Sequence, residues 1–123
     1  PWPGPIGDVW SALDLHAHPT RYDSSPIAIA EAMSLGLPSV ATDVGGIGEL
    51  ISDTRTGRLL PADVDSERLA GCLAELLDSE PTRRAFGLAA RARYEARHSP
   101  RALAAGMEDV YLEVSARRAA SRA

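Results

Sequence analysis

The sequence predicts an α/β domain, a parallel sheet flanked by helices and followed by further helices at the carboxy-terminal end. Three observations carry this. Short apolar runs that read as strands alternate with stretches of helical period, most junctions are marked by Gly or Pro, and the last third is purely helical in pattern. At 123 residues and 45% hydrophobic, the chain is sized for one domain with one core, so residues 1–123 are read as a single unit.

The elements follow in order. "PWPGPIG", with three Pro and two Gly in seven residues, is expected to be irregular, and "DVWSAL" to form one or two helical turns. "DLHAHP" alternates and stops at Pro19, giving a short buried strand near 14–18. Ser24 or Ser25 is placed to cap a helix whose first position is Pro26, where a missing N–H costs nothing. That helix, "PIAIAEAMSL", should stop at Gly36, a residue suited to the left-handed turn at a helix end. "PSVATD" reads as a second strand near 38–42, "VGGIGELIS" as a loop and a short helix, and "TGRLLP" as a third strand near 57–60.

From Asp65 the period changes. Leu69, Cys72, Leu73, Leu76 and Leu77 recur at i, i+3, i+4, i+7 and i+8, one apolar stripe of a helix. Pro81 separates it from an Arg-rich helix carrying Phe86 and Tyr94. Ser99-Pro100 opens a last helix that gathers Leu103, Met107, Val110, Tyr111 and Val114 on one face. Three strands make a thin sheet, and because the chain opens on Pro1 we expect completing strands upstream.

Composition narrows the function. Residues 1–80 hold 4 Arg against 13 acids, a net −9, while residues 81–123 hold 9 Arg against 4 acids, a net +5. The acidic part argues against a broad nucleic-acid surface. The basic tail can meet an acidic membrane or a neighbouring domain, although a solvated helix face is the plainer reading. A single cysteine, Cys72, excludes an internal disulfide and fits a reducing compartment. No membrane span or signal peptide is legible, so the expected location is cytoplasmic, with peripheral contact at the inner membrane face as the alternative.

In an open parallel sheet, ligands sit beyond the carboxyl ends of the strands. Two loops there carry chemistry: "TRYDSSP" with Asp23, and "DVGGIGE" with Gly45, Gly46 and Glu49. Glu31 lies one and a half turns into the intervening helix, and helical side chains lean back toward the amino end, so Asp23 and Glu31 can serve one pocket. Carboxylates only accept hydrogen bonds and so suit vicinal hydroxyls. Free N–H groups at a helix start and at a Gly-Gly turn suit phosphate oxygens. Diol acceptors beside phosphate donors describe a nucleotide-sugar.

Singly, these residues have plainer explanations: a helix cap for Asp23, a solvated or structural acid for Glu49, a core or pocket-edge position for His16 and His18. The two histidines at i, i+2 would face one side of a strand, yet no third metal ligand is evident. Arg21 could meet phosphate or simply be an exposed loop residue. Two other classes also remain open, a non-catalytic binding or interaction domain and a receiver- or flavodoxin-like module. The receiver needs a Lys, and the chain has none.

Taken together, "DLHAHPTRYDSSPIAIAEAMSLGLPSVATDVGGIGELI" followed by "TGRLLP" resembles the carboxy-terminal, donor-binding domain of family 4 (group 1) glycosyltransferases. The family's signature is E-x(7)-E, then EAMA-x-G-x-P-V-[VI]-A-[ST]-x-x-G-G-x-x-E, and the likeness is close over residues 6–80. It implies the GT-B fold, of which this chain would be the Rossmann-like carboxy-terminal half-domain. It also implies a retaining, metal-independent transferase that moves a hexose-type sugar from a nucleoside-diphosphate sugar, a substrate and not a cofactor.

By the same resemblance, Glu31 binds the ribose hydroxyls and Asp23 takes the catalytic place beside the transferred sugar. Here Asp23 stands where the family has Glu, one methylene longer. Ser24, Ser25 and Pro26 occupy the small-residue segment whose amides face sugar and phosphates. Gly45 and Gly46 match the Gly-Gly loop, Glu49 the acid after it, and His18 sits near enough to the strand end to border the donor. The family's phosphate-binding Arg and Lys, base-recognition segment and amino-terminal acceptor domain would lie upstream. The chain alone is therefore expected to be inactive, with the acceptor domain as its missing partner.

Overall fold

The computed structural model describes residues 4–122. Among these described residues, six helices and three strands run in the order α1 (Ile6–Ser11), β1 (His16–His18), α2 (Ile27–Ser34), β2 (Ser39–Thr42), α3 (Ile47–Leu50), β3 (Gly57–Leu60), α4 (Ser66–Leu77), α5 (Glu80–Arg97) and α6 (Pro100–Arg122). The strands form one parallel sheet in the order β1-β2-β3, with His16 opposite Ser39 and Ser39 opposite Gly57. The expected α/β class holds.

Adjacent residues of the strands serve opposite faces, as the pleat requires. Val40 and Leu60 pack with Cys72 and Leu76 of α4, while Ala41 packs with Ile29, Met33, Ile47, Leu50 and Ile51 under α2 and α3. Covered on both faces, β2 is buried along its whole length, and its small residues Ser39, Val40, Ala41 and Thr42 show no apolar–polar alternation. α5 joins the two cores, giving Ala90 and Tyr94 to one and Phe86 to the other. Ile29 and Met33 are essentially inaccessible, and truncating either to Ala would cost about 2–5 kcal/mol.

Several expectations need correction. Pro1, Trp2 and Pro3 of "PWPGPIG" lie outside the described residues, but Ile6 and Gly7 are helical, not irregular. Pro5, with φ −59°, acts as the N-cap, and its carbonyl accepts the Asp8 N–H at 3.1 Å, which closes the first turn. The first strand is shorter than 14–18, and the second begins at Ser39 because Pro38 has no N–H to give the ladder. Neither Ser24 nor Ser25 caps α2; Pro26 is the N-cap and the helix has no side-chain cap. Gly36 does adopt the left-handed turn, with φ +73°.

Leu77 is 53% exposed although it continues the stripe of α4. At 3.6 residues per turn it lies roughly 80° round from Leu69, at the margin of the buried face. The expected apolar face of α6 forms but is not buried. Leu103, Met107, Val110, Tyr111 and Val114 are all between 49% and 62% exposed. The helix leaves α5 at an elbow, where Ser99 donates to the Glu95 carbonyl at 3.0 Å, and then extends past both cores. Among the described residues no helix is long and apolar enough to cross a membrane.

Candidate functional site

Parallel strands followed by helices place the loops after β1 and β2 at one edge of the sheet, and the geometry there is specific. The Gly46 N–H donates to the Asp23 carbonyl at 3.3 Å, so the two loops are joined backbone to backbone. A Cβ on Gly45 would lie 2.1 Å from the Asp23 carbonyl oxygen, and one on Gly46 would lie 2.2 Å from that of Ser24. No side chain fits between them. Gly45 also has φ +54°, a conformation that other residues adopt only with strain. The Gly-Gly pair is thus first a close-approach device that fastens the second loop to Asp23 and Ser24.

This use consumes donors. Asp43 N–H goes to Leu60, Val44 N–H to Thr42, Gly46 N–H to Asp23 and Ile47 N–H to Val44. Gly45 N–H remains without a partner among the described residues, so one amide of the glycine pair is available to a ligand, not two.

Asp23 is anchored on three sides. Its Oδ1 accepts the Ser25 N–H at 3.1 Å, its Oδ2 accepts from His18 Nε2 at 3.1 Å, and its carbonyl holds Gly46. Each carboxylate oxygen retains a lone pair, and the side chain is 30% exposed, so it can still accept from a hydroxyl. His18 ends β1, and two residues back along the same side of the strand lies His16. The two rings are 5.7 Å apart. His16 Nδ1 meets Ser39 Oγ at 3.2 Å, and the ring of Trp10 stands edge-on at 5.2 Å. Burial, then the neighbouring His18, keeps His16 below the usual imidazole range. Both histidines are thus committed to protein partners. Among the described residues no group of three or more His, Cys, Asp or Glu is arranged to hold a metal ion.

Beside Asp23, α2 starts on Pro26 with no side-chain cap, and the Pro26 carbonyl already accepts from Ile29 and Ala30. By helix geometry the N–H groups of Ile27 and Ala28 have no intrahelical partner and project from the edge where Asp23 and Gly45 meet. Ser24 and Ser25, both exposed, flank this start. Glu31 is the fifth residue of α2, about 6 Å along the axis at 1.5 Å per residue, and its side chain leans back toward that start. It is half-buried, and its carboxylate has no partner among the described residues.

Glu49 sits apart, exposed on α3. Its carbonyl and that of Leu50 accept from Arg93 of α5, at 2.7 and 2.9 Å. Sequence reasoning did not single out Arg93, and an Arg in an Arg-rich helix carries no signal that it will reach a loop more than forty residues away. Arg21 is exposed and lines a cavity of about 310 Å³ toward α4, with Thr20, Thr42, Val64 and Asp65, on the other side of the strand ends. Trp10, which steadies His16, was also missed.

Known proteins place this geometry in context. The family described as "Glycosyl transferases group 1" matches residues 3–93. An alpha-maltose-1-phosphate synthase of Mycolicibacterium smegmatis is 36% identical over 90% of this chain and 30% of its own length. A GDP-mannose-dependent alpha-mannosyltransferase of Mycobacterium tuberculosis is 33% identical over 70% of this chain and 22% of its own. Among solved structures, Anabaena HepE in complex with UDP and glucose superposes with a TM-score of 0.69 at 29% identity, covering 75% of this chain and 25% of that one. The chain spans less than a third of the length of each.

Proposed function

The chain belongs to the group 1 glycosyltransferases, and from that membership we propose that it is the donor-binding part of a retaining transferase that moves a hexose-type sugar from a nucleoside-diphosphate sugar. The observation that carries this is the contact between the Asp23–Ser24 loop and the Gly45–Gly46 loop beside the uncapped start of α2. It gathers N–H donors and carboxylates at one sheet edge, as a molecule with both phosphates and diols requires. That a relative is named for GDP-mannose and a structural neighbour holds UDP supports the donor class and leaves the base open.

In this reading Glu31 accepts hydrogen bonds from the ribose hydroxyls. Asp23, Ser24 and Ser25 lie against the sugar. The amides of Ile27, Ala28 and Gly45 face the diphosphate, with Pro26 fixing the chain's entry into the helix. As the bond from the anomeric carbon to the diphosphate breaks, negative charge grows on the leaving oxygens, and fixed N–H dipoles stabilise it without reorganising. No resident metal is assigned a part. Glu49, tied through its backbone to α5, shapes the loop.

Because the chain covers under a third of its relatives, transfer itself is assigned to a longer protein whose other domain brings the acceptor to this edge. The test is transfer from radiolabelled nucleotide-sugars. The longer protein should transfer, and a Glu31→Ala variant should not, while the chain alone should give only the background of its own Glu31→Ala control. Transfer by the chain alone above that control would overturn the division of labour. Absence of donor binding by the longer protein would leave a non-catalytic interaction domain as the better description.

A further inference from the structure

Asp is one methylene shorter than Glu, so a carboxylate at position 23 is drawn back toward the end of β1, and there it meets His18. Carboxylates have no proton to give at neutral pH, so the ring must donate through Nε2–H, which leaves Nδ1 unprotonated in the neutral form. The ring lies beside His16, which Ser39 Oγ and the edge of Trp10 hold in turn. A four-part chain of contacts, running from α1 through both histidines of β1 to the loop, thus ends on one oxygen of Asp23.

We propose that His18 is a positioning residue for Asp23, fixing the direction in which the carboxylate presents its free lone pairs to the transferred sugar. The inference rests on the donor-binding reading of Asp23 and adds to it. In that reading His18 borders the donor; here it acts through the acid and not by touching the nucleotide. The Ser25 N–H holds only Oδ1. His18 holds Oδ2, so both oxygens are pinned and, with Cγ, they define the carboxylate plane.

The experiment uses the longer protein with three variants at one position. His18→Leu keeps bulk and removes the donor. His18→Gln places an amide N–H where Nε2 stood, and His18→Asn carries the same amide one bond short. Losing orientation at the reacting sugar should lower kcat about tenfold in the Leu and Asn variants. Their donor KM should stay within about twofold, since ribose and diphosphate contacts are untouched. The Gln variant should recover to within about threefold. Glu31→Gln, measured alongside, should instead raise donor KM.

Long-range ¹H–¹⁵N spectra of histidine-labelled protein at alkaline pH provide a readout independent of activity, and should place the His18 proton on Nε2. If kcat in the Leu variant matches wild type, if Gln does no better than Asn, or if the proton sits on Nδ1, the positioning role is wrong. A flat response to Glu31→Gln with the Nε2 proton in place would instead count against the donor reading while leaving the pair intact.

Discussion

Helix α2 is held by glycine contacts at both ends, yet only one end can do chemistry. At its carboxy-terminal end the carbonyl of Gly36 lies 2.0 Å from where a Cβ on Gly87 would stand, and this lets α5 press against the turn. At its amino-terminal end Gly45 and Gly46 let the second loop press against Asp23 and Ser24 in the same way. The device is one: no side chain, so backbone meets backbone. What differs is the direction of the helix. Its amino end exposes N–H groups and carries partial positive charge, while its carboxyl end exposes carbonyls and the opposite sign. An anionic donor is attracted to the first and repelled from the second, and the carboxylates for its hydroxyls stand at the first end too.

If this contrast is right, the two glycine contacts should fail differently. Gly45→Ala should be the more damaging. It forces a left-handed conformation, costing about 1–2 kcal/mol, and drives Cβ into the Asp23 carbonyl, costing about 1–3 kcal/mol more. Urea unfolding of the longer protein should show a lower midpoint, and donor binding should be lost even where the protein remains folded. Gly87→Ala should cost about 1–3 kcal/mol through the clash alone. Its donor affinity, measured well below the melting transition, should stay within about twofold of wild type. Equal loss of donor affinity in both variants would erase the distinction between the two ends.

Much of this was legible in the sequence because it depends on local residue chemistry. Gly36 after an apolar helical period marks the stop of α2, and the three short runs mark the strands, β3 to the residue. The pairing of the Asp23 and Gly45 loops followed from strand order. Gly87 was not legible, because a glycine inside a helical period gives no hint of the backbone it will meet. The chain of ring contacts from Trp10 through His16 to His18 was half legible. Alternation put both histidines on one side of a strand, but Trp10 comes from "DVWSAL", a stretch expected to be helical whose period does not say which strand residue its ring will meet. The apolar face of α6 is clear in the sequence, while its exposure depends on tertiary packing that the period does not encode. That only one amide of the Gly-Gly loop is free required the hydrogen bonds themselves.

The central claim, that the donor is held at the amino end of α2 with its ribose on Glu31, is tested most directly by titrating nucleotide-sugar donor into the longer protein carrying Glu31→Gln or Glu49→Gln. A carboxylate accepting hydroxyl hydrogen bonds contributes about 1.5–3 kcal/mol, so Glu31→Gln should weaken donor use roughly 10- to 100-fold at about 1.4 kcal/mol per decade. Circular dichroism and melting should stay near wild type, since that carboxylate has no partner within the described residues to lose. Glu49→Gln should matter less, because Arg93 holds its carbonyl and not its side chain. Donor affinity and turnover within twofold of wild type for Glu31→Gln, together with their loss in Glu49→Gln, would contradict the account.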